Sequence, residues 1–218
     1  MFLGHFAIGL AAKPLAPRLP LPLLLLAPQV LDVVWPVLVG AGVEHARLEP
    51  GHLDASPLVL EHMPYSHSLV MAAVWGVVTA AIWWLATRDR RGAVVLALLV
   101  VSHWFLDYVA HEPDMPLWPG DVGHGLGLWR SLPATLITEL VMFAAGAWIY
   151  TRATVARGPW GRIGWPIFAV VLTALAIFAA AGKPPPSMNA VLISFAALFV
   201  IIVGVAIAID RQRPAVAS

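Results

Sequence analysis

The chain has 218 residues, of which 60% are hydrophobic and only 11% charged, with a formal net charge of +1 at pH 7. Water-soluble domains carry roughly a quarter charged residues, so this composition excludes an ordinary soluble globule and implies an integral membrane protein. The absence of cysteine excludes a disulfide framework and a thiolate metal site, and no dense basic patch is present to bind a phosphate backbone, so no nucleic-acid partner is expected.

The opening run MFLGHFAIGLAAK lacks a basic stretch ahead of its apolar residues, unlike a cleaved signal peptide, and is read as part of the mature chain. Phe2 to Ala12 predicts a short apolar helix, too short to span and half-inserted against its neighbours. Pro14, Pro17, Pro20 and Pro22 then break the chain. Six longer apolar runs follow, at 21–43, 67–86, 92–111, 133–151, 163–182 and 188–209. Each is near the roughly 20 residues that a spanning helix needs. None alternates with period two, so spanning strands are not expected, and there is no internal repeat. The predicted fold is an all-α polytopic membrane bundle of six spanning helices plus a short N-terminal half-helix. Residues 1–151 hold the polar positions; residues 152–218 contribute two packing helices and a tail.

Lysine and arginine in short loops set orientation. If the spans alternate, Lys13, Arg18, Arg88, Arg90, Arg91, Arg152, Arg157, Arg162, Arg211 and Arg213 share one side, and only Arg47, Arg130 and Lys183 face the other. This bias predicts a cytoplasmic C-terminus. The loops 44–66 and 112–132 then face outward, carrying Glu44, Glu49, Asp54, Glu61, Glu112, Asp114 and Asp121.

An ionisable residue inside a membrane segment is costly and points to function. Here these are His5, Asp32, His103, Asp107 and Glu139, with His67 and His111 at helix ends. On a helix, positions i, i+4 and i+8 drift by only about 40° per step, so His103, Asp107 and His111 in SHWFLDYVAH form one stripe. Two imidazoles flanking a carboxylate suit zinc above all, or manganese or iron. The predicted topology gathers His67, Asp32 and Glu139 toward the same side. In EHMPYSHSL, Ser66 suits an N-cap that places His67 in the first turn of the next helix. His62, on the preceding loop, is either a surface histidine or a group acting beside the metal. Pro28 and Pro36 frame Asp32 and favour a kinked, polar pocket. Ser131 suits a cap for a helix with Pro133 in its first turn, which projects Glu139 inward as a ligand or general base. His45, His52 and His124 read as loop residues, and Tyr65 as an interfacial aromatic anchor.

At these positions the sequence resembles a family of bacterial inner-membrane-associated proteins described as metal-dependent hydrolases and as LexA-binding. The resemblance covers roughly residues 1–150. It rests on His5 in GHFAIG, Asp32 in PQVLD, His62 and His67 in HMPYSHS, and His103 and Asp107 in SHWFLD. The family's H-x4-HS motif often continues with Arg-Gly after its first histidine, where this chain has Met63-Pro64. The ligand order is also loosely similar to that of the all-helical zinc-dependent phospholipase C fold. Together these resemblances imply metal ligands at His5, Asp32, His67, His103, Asp107 and His111, with Glu139 or His62 as acid and base. They imply hydrolysis of a lipid or lipid-linked phosphoester at the outer side of the inner membrane. The competing reading is a transporter or scaffold whose His/Asp cluster handles protons or metal ions; a carrier of that kind predicts paired half-helices or a repeat. Oligomeric state is not legible.

Overall fold

Proline placement shapes the first fifth of the chain. In the computed structural model, which describes residues 1–216, helix α1 (Leu3–Ala11) ends before the proline-rich stretch at 14–20. The chain re-enters as α2 (Leu21–Leu26), passes a single 3₁₀ turn at Ala27–Gln29 and continues as α3 (Val30–Gly40). These three pieces make one apolar span, Leu21–Gly40. The turn at Pro28 takes that residue's carbonyl out of the regular helical ladder, and the site makes use of it.

The remaining helices are α4 (Leu69–Thr87), α5 (Arg90–Ala110), α6 (Leu132–Arg152), α7 (Trp165–Ala181) and α8 (Met188–Asp210). A π-helical turn, Trp160–Gly164, leads into α7. All six predicted spans are present, displaced by a few residues at their ends. Side-chain caps mark the starts: Ser68 accepts from the Met71 N–H, Asp89 from Gly92, Ser131 from Ala134 and Ser187 from Ala190. Each cap satisfies an N–H that the first turn leaves without a partner. The cap of α4 is thus Ser68, and Ser66 lies outside the helix. His67 stands two residues before α4, in a turn closed by its own N–H to the Met63 carbonyl at 3.1 Å.

One element departs from the all-helical expectation. The loop after α3 folds into a small antiparallel hairpin, β1 (His45–Leu48) and β2 (Leu58–His62), with Ala46 opposite Leu60. It is far too short to span, and its paired backbone groups satisfy one another outside the helices.

The short first helix is not half-inserted at a surface. Leu3, His5, Phe6 and Leu10 are wholly buried, and α1 packs against α6, α2 and α5 inside the bundle. Two glycines admit it. A Cβ on Gly146 of α6 would lie 2.4 Å from the Ala7 carbonyl oxygen, and one on Gly9 would lie 1.9 Å from the Leu24 carbonyl oxygen. Small residues let membrane helices approach closely where no hydrophobic driving force holds them together. On one side of α1, Phe6 and Leu10 join Phe143, Tyr150, Trp165 and Phe168. A second core, with Leu24, Leu31, Leu96, Val100 and Trp104, fills the space among α2–α5.

At the end of the bundle opposite the hairpin, three connections meet. Lys13 Nζ donates to the Leu19 carbonyl at 2.7 Å, and the Leu21 N–H donates to Asp210 Oδ1 at 2.9 Å. Burial pushes the Lys13 amine below its ordinary value, with Asp210 opposing the shift. Arg213 donates from Nε to Thr154 Oγ1 at 2.7 Å and from Nη1 to the Gly161 carbonyl at 2.8 Å. A Gly146→Val substitution is expected to unseat α1 and destabilise the detergent-solubilised protein by about 1–3 kcal/mol, the usual cost of overpacking. A thermal unfolding curve against wild type reads this directly.

Candidate metal centre

Five segments converge near the hairpin end. The interior helix α1 brings His5, α3 brings Asp32, the turn before α4 brings His67, α5 and its C-cap bring His103, Asp107 and His111, and α6 brings Glu139. His5 and His103 are fully buried, and His67, Asp107, His111 and Glu139 nearly so. Asp32 is partly open, its side chain 21% exposed.

Asp107 is the hub. Its Oδ1 lies 3.0 Å from His5 Nε2 and contacts the Met1 amino group. Its Oδ2 lies 2.9 Å from His103 Nε2, 3.5 Å from His111 Nε2 and 3.9 Å from His67 Nε2. Asp32 Oδ1 sits 3.5 Å from His67 Nε2 and 3.9 Å from His103 Nε2. The rings of His5 and His103 stack in parallel with centroids 3.9 Å apart. Two overlapping groups result, His5/His103/Asp107 and Asp32/His67/His103; within each, the donor atoms lie within 4.8 Å of one another.

The outer nitrogens decide what the inner ones can do. His103 Nδ1 lies 2.7 Å from the Pro28 carbonyl, the group exposed by the 3₁₀ turn, and donates to it. His111 Nδ1 lies 3.0 Å from Asp114 Oδ1. His67 Nδ1 lies 2.7 Å from Ser66 Oγ, whose hydroxyl donates to Glu44 Oε2 at 2.6 Å. Glu44 is itself buried, and its Oε1 accepts from the N–H groups of Tyr65 and Ser66 at 2.8 Å each. With Nδ1 donating outward, the three rings turn Nε2 lone pairs inward. Ligating histidines take this form, with the second nitrogen bonded to a carboxylate, carbonyl or hydroxyl that fixes the tautomer. His103 Nε2 lies close to Asp107 Oδ2 but off its line, and it forms no hydrogen bond. A buried lone pair set against a carboxylate oxygen is costly unless a cation is shared between them. The nitrogen and oxygen donors, the inward lone pairs and the orphaned Nε2 all fit a divalent metal of the zinc, manganese or iron type.

Two residues behave differently from the rest. Glu139 accepts the Phe2 N–H at 3.1 Å on Oε1 and 3.0 Å on Oε2, and the Leu3 N–H at 2.5 Å on Oε2. Its carboxylate therefore caps α1 at the wall of the cavity, satisfying N–H groups that the first turn leaves without partners. His62 is not brought to the cluster. It is exposed on β2, its ring 6.2 Å from that of His45, and lines a separate polar hollow with Glu61 and Asp121. Asp121 accepts the Leu117 N–H at 2.8 Å, which with His124 holds its carboxyl below the ordinary range.

Sequence reasoning overlooked Glu44 and misplaced Ser66. Glu44 reads as one more acid in an outer loop. The spacing Glu44…Ser66-His67 carries no periodic signal, because the hairpin between them is what brings them together. The overlooked cavity wall is the other omission. A cavity of about 390 Å³ opens beside Asp32, Asp107, His111 and Glu139, and its far wall is built by α7 and α8, which read from sequence as packing helices.

No family model, no curated protein and no solved structure matches the chain. A Glu139→Ala variant is expected to leave the Phe2 and Leu3 N–H groups without partners and loosen the start of α1. Hydrogen exchange over residues 3–8 should then quicken while α4 and α5 keep their protection.

Proposed function

We propose that the chain is a membrane-embedded, metal-dependent hydrolase of a lipid or lipid-linked phosphoester, working in a bacterial inner membrane with its C-terminus in the cytoplasm. The observation that carries the reading is the set of three histidines, each tethered through Nδ1 to an outer partner and each directing Nε2 at Asp107. The order His5, Asp32, His67, His103, Asp107 is also the order on which the resemblance to membrane-associated metal-dependent hydrolases rests. The concentration of ten of the thirteen Lys and Arg residues on one side of the spans supports the orientation.

In this reading His67, His103 and Asp32 would hold one cation, with zinc the best match. Asp107, whose oxygens face two different histidine groups, stands between that group and His5. Bound there, a divalent cation supplies Lewis acidity to a phosphoryl oxygen and acidifies water. The chain's own residues do the rest. His111 lines the cavity and is oriented by Asp114 at 3.0 Å, so it carries the proton. A water oxygen adds to phosphorus, the bond to the leaving oxygen breaks, and the water's proton passes through His111 to the departing alcohol. Glu139, already accepting the Phe2 and Leu3 N–H groups, positions α1 and through it His5. Ser66 and Glu44 hold the His67 ring.

Elemental mass spectrometry of detergent-purified wild type and a His103→Ala/Asp107→Ala double variant tests the reading. One or more equivalents of zinc, manganese or iron, lost in the variant, are expected. A folded wild type free of metal, purified without chelator, would leave the cluster a proton-handling or structural role. The Ser66→Ala variant is expected to bind zinc about 10–100-fold more weakly, the usual consequence of losing an outer tether. Competition with a chromophoric chelator measures it.

A further inference from the structure

The cavity beside the cluster has the form of a slot for a lipid chain. Helix α7 packs against α6, and α8 against α2 and α3, while the α7 and α8 backbones make few close approaches although Leu172 and Ile202 belong to one core. The consecutive helices therefore splay, and the cavity lies in the gap. Its lining there is apolar: Leu175, Phe178, Leu198 and Phe199, with Ala176 and Ala179 leaving room between them. Phe178 and Leu175 are exposed, so the slot is open on the side that faces hydrocarbon. At about 390 Å³ it falls in the size range of small-molecule sites, roughly 300–1,000 Å³.

Charge fixes the headgroup. Besides the Met1 amino group, which Asp107 engages, three cationic side chains lie at this end of the bundle. Arg47 is paired with Glu49 and Glu61, and Arg130 with Glu112. Lys183, in the turn between α7 and α8, lines the cavity and makes no ion pair among the described residues. One end of the slot thus presents an uncommitted ammonium, and its inner end the histidine cluster.

Building on the hydrolase reading, we propose that an anionic phospholipid enters sideways between α7 and α8, laying one acyl chain along Leu175, Phe178 and Leu198 with its phosphate between Lys183 and the cluster. An entry of this kind lets the substrate reach the site without leaving the bilayer, so its chains never cross water.

The test uses the full-length protein in liposomes containing phosphatidylglycerol with a diazirine at the end of one acyl chain. After photolysis, labelled peptides are mapped by mass spectrometry. Labelling should concentrate on residues 172–182 and 191–199. It should fall several-fold in Ala179→Trp, which fills the slot from its open side, and in Leu198→Trp, which fills it from α8. Lys183→Glu should lower labelling by phosphatidylglycerol more than by the matching phosphatidylcholine probe. Labelling spread evenly over the outward faces of α4 and α6, and unmoved by either tryptophan, would mean ordinary boundary lipid and would overturn the slot. The two readings fail separately. Cleavage of a water-soluble phosphodiester with even labelling removes the slot alone. Concentrated labelling without any hydrolysis keeps the slot and removes the hydrolase.

Discussion

A carboxylate buried among apolar helices has to be neutralised, and the arrangement around Asp107 follows from that need. An unpaired charge in such a place is among the most expensive features a membrane protein can carry. Here one oxygen faces His5 and the Met1 amino group, and the other faces the Nε2 atoms of His67, His103 and His111, which a shared cation would bind to it. Gathering those histidines from three separate segments requires α1 to lie inside the bundle and the turn before α4 to fold back over α5. It also requires α2 and α3 to break at Pro28 so that one carbonyl is available to His103. The interior helix and the broken span are thus parts of one solution.

The six spans and the end that carries most of the basic residues were legible because each depends on a local property: a run of apolar side chains of the right length, or a charge in a short loop. The site was legible to the same extent. His103, Asp107 and His111 share a helix, so spacing alone puts them on one stripe. Asp32 and His67 followed once the spans were taken to alternate. What could not be read were contacts made between segments by shape. Nothing in GHFAIG announces that Gly9 and Gly146 allow a nine-residue helix to be enclosed. The hairpin that carries Glu44 toward Ser66 rests on the pairing of two short strands across a turn rich in polar residues. His62 shows the converse error: four residues separate it from His67, yet the strand holds it on the outside while the turn carries His67 inward.

Helices α7 and α8 show what composition alone leaves out, for besides packing they wall the cavity beside the cluster. With no ionisable residue between Arg162 and Lys183, α7 offers no chemistry, and a sequence reading assigns it to packing. In a bilayer an apolar surface is also a solvent-compatible one, and a gap between two such helices costs little because lipid can fill it. A surface that would be inert in water can therefore still recognise a substrate whose body is hydrocarbon.

The enclosure of α1 has a consequence for how the protein is made. Nine residues are too few to hold a place across the bilayer, so α1 has no stable position until its walls exist. Its principal wall, α6, begins some 120 residues later in the chain. During synthesis α1 must wait at the membrane surface, with its backbone ends and His5 still wet, while three spans are inserted. Only the arrival of Gly146 and Glu139 closes the chamber around it. Completion of the histidine cluster is therefore a late event in biogenesis, and a chain arrested before α6 emerges would have three of its six spans in place and His5 not yet seated beside Asp107.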